Sequence, residues 1–386
     1  MRFLYIGSND VFSRHELGFI SALSELGRVD VVMLNSRVNV EKLCIGSDNG
    51  VWDITLYKVP CRSPMQIIYC EHIIKNIIDV YDYDLVVATP RLPVILARKV
   101  LGRGSRILLR LWSIRAAKLR DNLRFGAYED IAIFVPSIAI NMGYILYSTY
   151  SITIDHATYT FAIKTYPLLR NRIAKLYPPY GFKCDNHGDE DKYAHILDLA
   201  KRGDYVLGFT GLHKTGPYLK FEAKPHAIVL YLIAKKTKMN VVLAGSTYKD
   251  WKRVFPHIEP PRNLYIVGRG FGDSIVRKLY EGANLVVAPI TNRNISNRLL
   301  ESLFHGAPTI TTDVAKTIHP ELVHERHAFI SNWNNIMEDV LKLLNSEEKL
   351  EMLSEGAKEA YSNLFSTKNN VKFVKKIVKY VITSLV

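Results

Sequence analysis

Short runs of Val, Ile and Leu alternate along the chain with longer segments whose apolar residues recur at helical spacing. A strand buried on both faces is apolar throughout, whereas a helix lying against it needs one apolar stripe. The alternation therefore predicts βαβ units on parallel sheets. Arg2 to Ile6, Val29 to Leu34, Leu85 to Ala88 and Arg106 to Leu109 read as strands of a first series, with helices from Glu16 to Leu26 and Pro93 to Leu101. The turn-rich Pro178-Pro179-Tyr180-Gly181 and the polar run Asp185 to Lys192 mark a boundary. Beyond it, Tyr205 to Thr210, Asn240 to Ala244, Leu264 to Val267 and Asn284 to Ala288 read as strands, and Pro225 to Lys238 as a helix with proline in its first turn. The expected class is α/β, with two doubly wound domains facing across a cleft, because ligands of open parallel sheets bind beyond the carboxyl ends of the strands.

Two segments stand outside this pattern. Ile131 to Ile154 carries no formal charge and is about long enough to span a bilayer, yet Pro136, Asn141, Gly143 and several Ser and Thr favour buried α/β core. Asn369 to Val386 places Val371, Val374, Ile377, Val378, Val381 and Ile382 on one helical face, with Lys372, Lys375, Lys376 and Lys379 around the other. Such a helix either packs on a domain surface or lies on a membrane.

At 386 residues the chain exceeds one core, so two domains are expected; 48% hydrophobic and 23% charged residues are ordinary globular values. The net charge of +14 adds an anionic partner. Between Arg91 and Arg124 lie Arg98, Lys99, Arg103, Arg106, Arg110, Arg115, Lys118 and Arg120, with Asp121 the one acid. Part of this run is solvated helix face; the rest points to a lipid-linked phosphate or an anionic bilayer, with Trp112 and Tyr128 as interfacial anchors and the Lys-rich terminal helix completing one positive face. No nucleic-acid-binding motif accompanies the charge. Cys44, Cys61, Cys70 and Cys184 lack CxxC spacing, and a chain this long does not need disulfides, so free thiols in a cytoplasmic protein are expected. The N-terminal apolar run is too short for a signal peptide.

The most informative window runs from Asn284 to Ile310. A buried strand gives way to a polar loop, then to a helix that opens at Ser296-Asn297 and ends at Gly306. Helix starts present unpaired N–H groups and a positive dipole end, so this is a site for a diphosphate. Arg298 adds a charge that can bind it bidentately, and Glu301, one turn further in, can accept from ribose hydroxyls. The bland alternative is a surface ion pair between Arg298 and Glu301. His156, after the strand Ser151 to Ile154, and His213 are the two histidines placed as candidates, although a histidine in such a place is more often hydrogen-bonded structure than catalyst.

These residues resemble the family 4 retaining glycosyltransferases of GT-B fold, which pair two Rossmann-like domains. Val286-Val287-Ala288-Pro289 and Leu300-Glu301-Ser302-Leu303-Phe304-His305-Gly306-Ala307-Pro308-Thr309-Ile310 match the family's donor motif, a strand ending in Pro followed by a helix reading roughly Leu-Glu-Ala-Met-Ala-x-Gly-x-Pro-Val-Ile. The resemblance implies that Glu301 holds the donor ribose and that the amides around Ser296 and Asn297, with Arg298, hold the diphosphate. Val206 to Gly211 looks like the first donor-domain strand, and Lys224-Pro225 stands where a Lys-Gly opens the next helix. That lysine contacts phosphate in the family, which makes Lys224 the candidate, with Lys214 and Lys220 as rivals. Asn263 to Arg269, including Gly268, and Leu279 to Ala283 look like the elements that shape the base pocket. The resemblance divides the chain into an acceptor domain, 1–183, a donor domain, 184–368, and a helix, 369–386, returning to the first.

There are departures. The family usually has a second glutamate eight positions before Glu301, where this chain has Arg293; members lacking it often carry a basic residue before the helix, as Arg298 does. Gly7-Ser8-Asn9-Asp10 replaces a Gly-Gly loop, and the donor-loop arginine is missing at Leu212-His213. No Asp-x-Asp metal motif is present. The expectation is thus a metal-independent, retaining transferase, needing no cofactor, that takes a nucleoside-diphosphate sugar and a glycan or lipid-linked acceptor. Arg298, Lys224 and Glu301 would be its catalytic groups, and no protein nucleophile is named. The alternatives are a non-catalytic nucleotide- or polyanion-binding scaffold and a sugar-nucleotide epimerase.

Overall fold

The computed structural model describes residues 1–8, 12–35, 39–61, 63–79, 82–102, 106–112, 114–119, 123, 129–184, 193–291 and 296–383. Of the residues singled out above, Arg293, Asn9, Asp10, Arg103, Arg120, Asp121, Arg124 and Tyr128 lie outside them. The chain forms an N-terminal unit, Met1–Arg120, Tyr128–Cys184 and Leu364–Val386, and a C-terminal unit, Asp121–Ala127 and Asp185–Asn363.

In the N-terminal unit the strands are β1 (Arg2–Gly7), β2 (Arg28–Asn35), β3 (Asn39–Ser47), β4 (Gly50–Pro60), β5 (Leu85–Ala88), β6 (Ile107–Leu111), β7 (Tyr150–Thr153), β8 (Ile173–Lys175) and β9 (Phe182–Lys183). They form one sheet in the order β8-β7-β6-β5-β1-β2-β4-β3-β9, with β3 antiparallel to both of its neighbours. Its helices are α1 (Arg14–Leu26), α2 (Ile67–Ile77), α3 (Leu92–Leu101), α4 (Phe134–Tyr147) and α5 (His156–Thr165). Successive strand residues point to opposite faces. Leu4, Ile6, Val86 and Ala88 pack with α2, α3 and α4, whereas Phe3, Tyr5, Leu85 and Val87 pack with α1 and the terminal helix Thr367–Thr383.

The terminal helix buries Val374, Ile377, Val378 and Val381 in that second core. Its start is tied down where the Thr367 N–H donates to Asp48 (3.1 Å) and Asn370 Nδ2 donates to the Tyr177 carbonyl (2.9 Å). Its apolar stripe is therefore core rather than a membrane face. The expected single positive face does not form either, because α3 and this helix lie on opposite faces of one sheet.

Two further expectations are corrected. The cysteines are paired, Cys44 with Cys184 and Cys61 with Cys70. Spacing could not show this, because the first pair depends on β3 and β9 lying side by side, with Ile45 opposite Lys183, which brings the two Cα atoms to 5.3 Å. The free-thiol argument for a reducing compartment falls with it. Ile131 to Ile154 is buried core only in part: β7 and Ile145 of α4 are buried, whereas α4 leaves Val135, Ile140, Met142, Leu146 and Tyr147 exposed. Among the described residues no helix is long and apolar enough to cross a membrane.

The C-terminal unit is built from α6 (Ala194–Arg202), β10 (Tyr205–Phe209), α7 (Lys224–Lys236), β11 (Asn240–Ala244), α8 (Tyr248–Val254), β12 (Leu264–Val267), α9 (Asp273–Glu281), β13 (Leu285–Val287), α10 (Asn297–His305), β14 (Thr309–Thr312), β15 (Phe329–Ser331), α11 (Ile336–Leu344) and α12 (Glu347–Ala360). The sheet is parallel, in the order β12-β11-β10-β13-β14-β15. Strand order reverses between β10 and β13, and the crevice at the carboxyl ends of two such strands is where doubly wound sheets bind ligands.

The Pro178-to-Gly181 stretch is packed, not a free linker: Tyr180 is buried and the Gly181 N–H donates to the Arg14 carbonyl (3.1 Å). It crosses α1 so closely that a Cβ on Gly18 would lie 2.0 Å from the Pro179 carbonyl oxygen, and one on Gly181 2.1 Å from the Gly18 nitrogen. Because backbone cannot move aside as a side chain can, Gly18→Ala or Gly181→Ala should each destabilise the protein by about 1–3 kcal/mol. Chemical denaturation checks this; an unchanged midpoint for both variants contradicts the crossing.

Candidate functional site

The switch point is closed by α10. Ser296 caps the helix, its hydroxyl accepting from the Leu299 N–H (3.3 Å), and Gly306 ends it in the left-handed conformation (φ 64°) that favours glycine. The amides of Asn297 and Arg298, in the first turn, have no intrahelical acceptor by position. Asn297 Oδ1 and Thr291 Oγ1, on either side of the undescribed residues 292–295, are buried without hydrogen-bond partners.

Arg298 turns back from this helix across the switch point. It donates to the Phe209 carbonyl (3.0 Å) at the end of β10, to His226 Nδ1 (3.0 Å) on α7, and to the Glu222 carboxylate in an ion pair with only 14% of each side chain exposed. Burial works against its charge, but Glu222, Tyr218 and Tyr280 more than offset this, so its pKa stands above the usual arginine value. The alternative, an Arg298–Glu301 surface pair, is not what forms. Arg298 is internal, and its charge is already matched by Glu222, a residue on which sequence reasoning had nothing to say.

His226 was missed as well. Arginine donates only, so Nδ1 accepts and the ring is neutral with its proton on Nε2. Burial first, then the Arg298 charge, push its pKa well down, with a smaller opposing effect from the Val287 backbone. Gly208 makes room for it: a Cβ there would lie 2.9 Å from His226 Nε2 and 2.6 Å from Leu230 Cδ1.

Glu301 is buried at the inner end of the first turn, one carboxylate oxygen accepting from Tyr280 Oη (2.8 Å). Tyr280 is itself stacked between Phe209 (centroids 5.1 Å) and His305 (5.4 Å), which fixes the carboxylate. A second group of candidates gathers at the carboxyl ends of β10, β11 and β12. Leu212 N–H donates to Ser246 Oγ (2.9 Å), Ser246 Oγ donates to the Thr210 carbonyl (2.7 Å), and Gly245 N–H donates to the Val267 carbonyl (3.0 Å). These bonds lace the Gly211-to-Lys214 turn to the Gly268-Arg269 segment. Arg253 donates to the Leu212 carbonyl, Arg269 pairs with Asp250 (3.5 Å), and Lys214 is exposed. His213 sits among these cations. Burial first, then Arg269 and Lys214, lower its pKa, while Asp250 and the Gly245 backbone oppose the shift, and its Nδ1 has no hydrogen-bond partner. Lys224 lies over the Phe255 ring (5.8 Å) and Lys220 over Phe221 (4.8 Å); among the described contacts neither reaches Arg298 or Glu301.

The N-terminal unit holds a separate polar network. Arg110, fully buried, donates to the His15 carbonyl (2.6 Å) and His15 Nδ1 (3.2 Å) and stacks over Phe19; Tyr5 Oη donates to Glu16 (3.1 Å). Thr89 Oγ1, beyond the end of β5, and Trp112 Nε1, beyond the end of β6, are buried without partners. Trp112 meets His15 edge-on (6.0 Å) rather than serving as a surface anchor, and His156 Nε2 lies 3.1 Å from Thr160 Oγ1.

Residues 212–346 match the family described as glycosyl transferases group 1. The fold is that of GT-B glycosyltransferases. Sucrose-phosphate synthase from Thermosynechococcus elongatus superposes with a TM-score of 0.71 at 12% identity over 99% of both chains. Anabaena HepE in complex with UDP and glucose gives 0.66 at 12% identity over 98% of this chain and 100% of that one. WaaG, a glycosyltransferase involved in lipopolysaccharide biosynthesis, gives 0.61 at 12% identity over 97% of this chain and 99% of that one. No curated protein sequence matches the chain.

A buried histidine held neutral binds fewer protons folded than unfolded. Its contribution is therefore full above the unfolded pKa of about 6.5 and is lost as pH falls below it. Stability should decline on acidification below about pH 6.5, and His226→Gln should reduce that slope, leaving the part due to His15, whose pKa burial and Arg110 also push well down, and to His213 and His327, whose pKa values burial lowers. Denaturant unfolding at stepped pH checks this; the same slope in the variant contradicts a neutral His226.

Proposed function

We propose that the chain transfers a sugar from a nucleoside-diphosphate sugar to a hydroxyl acceptor, with retention and without a metal. The observation that carries this reading is the convergence at one switch point, inside the segment matching the group 1 family, of a capped helix start, a buried carboxylate in the first turn and a cation cluster around Gly211 to Lys214. Glu301 takes the ribose hydroxyls with the carboxylate that Tyr280 orients. The diphosphate lies between the Asn297 and Arg298 amides and the turn carrying Lys214, with Gly268 and Arg269 beside the base. The bond from the anomeric carbon to the diphosphate oxygen breaks as the acceptor oxygen bonds to that carbon. The acceptor proton passes to the departing oxygen on the same face. Charge growing on the diphosphate meets donors already in place, which lowers the barrier without reorganisation.

Within this reading Arg298 changes role. Neutralised by Glu222, it acts as the pin that sets the helix start, and Lys214 replaces Lys224 as the phosphate lysine. The non-catalytic scaffold is the second reading. It is favoured by Arg298 being spent on Glu222 and by Arg293 standing where the family's other glutamate would be.

Glu301→Ala and Lys214→Ala should each weaken nucleoside-diphosphate binding by about tenfold or more, while Lys224→Ala leaves it within about twofold. Calorimetry with UDP, GDP and ADP in turn checks this; losses confined to Lys224→Ala restore the original assignment. Slow hydrolysis of the matching donor sugar, undiminished by EDTA, is expected of the transferase. A donor that binds but is never cleaved supports the scaffold, and activity lost to EDTA and restored by manganese contradicts metal independence.

A further inference from the structure

We propose that the outer face of α4 docks on an anionic lipid bilayer. The proposal concerns a different surface from the nucleotide site and does not rest on the donor reading. A surface helix in water normally turns its polar side outward. Here the arrangement is reversed. Residues 135, 139, 142 and 146, with 136, 140, 143 and 147, form the outer face, and they are Val135, Ala139, Met142, Leu146, Pro136, Ile140, Gly143 and Tyr147, with no charge among them. Val135 is 71% exposed, Ile140 51% and Leu146 49%, and a Cβ at Gly143 would meet nothing within 4 Å. The polar Asn141 is turned inward, its amide donating to the Ser137 carbonyl (2.7 Å). Leu168, 97% exposed, lies two residues along the chain from Tyr166, which donates to the Ile138 carbonyl of α4 (2.8 Å).

Cations rim the face. Burial raises the Tyr144 pKa and the Arg91 guanidinium opposes the rise, which places Arg91 beside the middle of α4. At the far end Arg172 donates to the Thr149 carbonyl (3.0 Å) and feels the charge of Arg98 on α3, with Lys99 and Arg170 exposed nearby. The charge of the whole chain follows the same division. The N-terminal unit holds 27 Lys and Arg against 14 Asp and Glu, net +13, and the C-terminal unit 24 against 23, net +1. An uncharged apolar strip roughly 20 Å long within a cationic rim fits the interface of an anionic bilayer, with apolar side chains at the acyl boundary and guanidinium groups among the headgroups. A second copy of the chain fits less well, because a two-fold contact would bring each cationic rim against its own image.

The test is flotation of the full chain with phosphatidylcholine vesicles, with and without phosphatidylglycerol, at low and high salt. Wild type should float with the anionic vesicles at low salt, leave them at high salt and ignore the neutral ones. The double variant Ile140→Glu/Leu146→Glu, which alters only exposed positions, should bind about tenfold more weakly or worse at an unchanged unfolding midpoint. Met142→Trp should show blue-shifted emission with anionic vesicles alone, a readout independent of the double variant's folding. The proposal is overturned by wild type remaining unbound at low salt, by the double variant binding as wild type does, or by unshifted Trp emission. A concentration-dependent dimer that the double variant abolishes, without vesicle binding, assigns the face to a second copy instead and also overturns it.

Discussion

The placement of Arg298 is the constraint on which the candidate site depends. One guanidinium ties the first turn of α10 to the last carbonyl of β10, to the α7 ring of His226 and to the Glu222 carboxylate. The start of α10 thereby meets β10 and the stretch carrying Glu222 and His226, 72 to 89 residues earlier in the chain, at the point where strand order reverses. Removing one partner of such a pair leaves an uncompensated buried charge, which is far less favourable than never having the pair. The same contact dictates two neighbours: His226 must stay neutral to accept from arginine, and position 208 must lack a Cβ for the ring to fit. With the helix start fixed, its amides and Glu301 stand in a set relation to the turn that follows β10.

The two units solve different electrostatic problems. The C-terminal unit is nearly neutral and localises its charge, with Lys214, Arg253 and Arg269 around one turn and carboxylates assigned to particular partners. The N-terminal unit carries almost the whole net charge. It buries one arginine, Arg110, in a network of His15, Tyr5 and Glu16, and leaves other cations on its surface beside an apolar helix face. Self-repulsion on that scale destabilises a compact fold unless an anionic partner relieves it.

Much of the fold was legible in the sequence because parallel strands declare themselves as unbroken apolar runs: Leu85 to Ala88, Asn240 to Ala244 and Leu264 to Val267 fall where the pattern put them. The helix from Asn297 to His305 was legible through its Ser cap and Gly stop. Contacts distant in sequence were not. Nothing at Glu222 or His226 marks them as partners of Arg298, and Cys44 and Cys184 meet only through sheet pairing. Lys224 stands where the resembling family's phosphate lysine opens a helix, but position along a helix start does not say which way a long side chain turns. In α4 the apolar run reads as core throughout, because composition alone cannot distinguish the helix face buried by the fold from the one left bare.

The central claim, that the switch point of the C-terminal unit is a nucleoside-diphosphate site, is tested most directly by hydrogen–deuterium exchange with and without UDP, GDP and ADP. The account predicts that the nucleotide which binds slows exchange in peptides covering 208–214 and 296–303, where the β10 turn and the α10 start lie, with little change in the N-terminal sheet. Protection confined to other segments, from a nucleotide shown to bind, would contradict it.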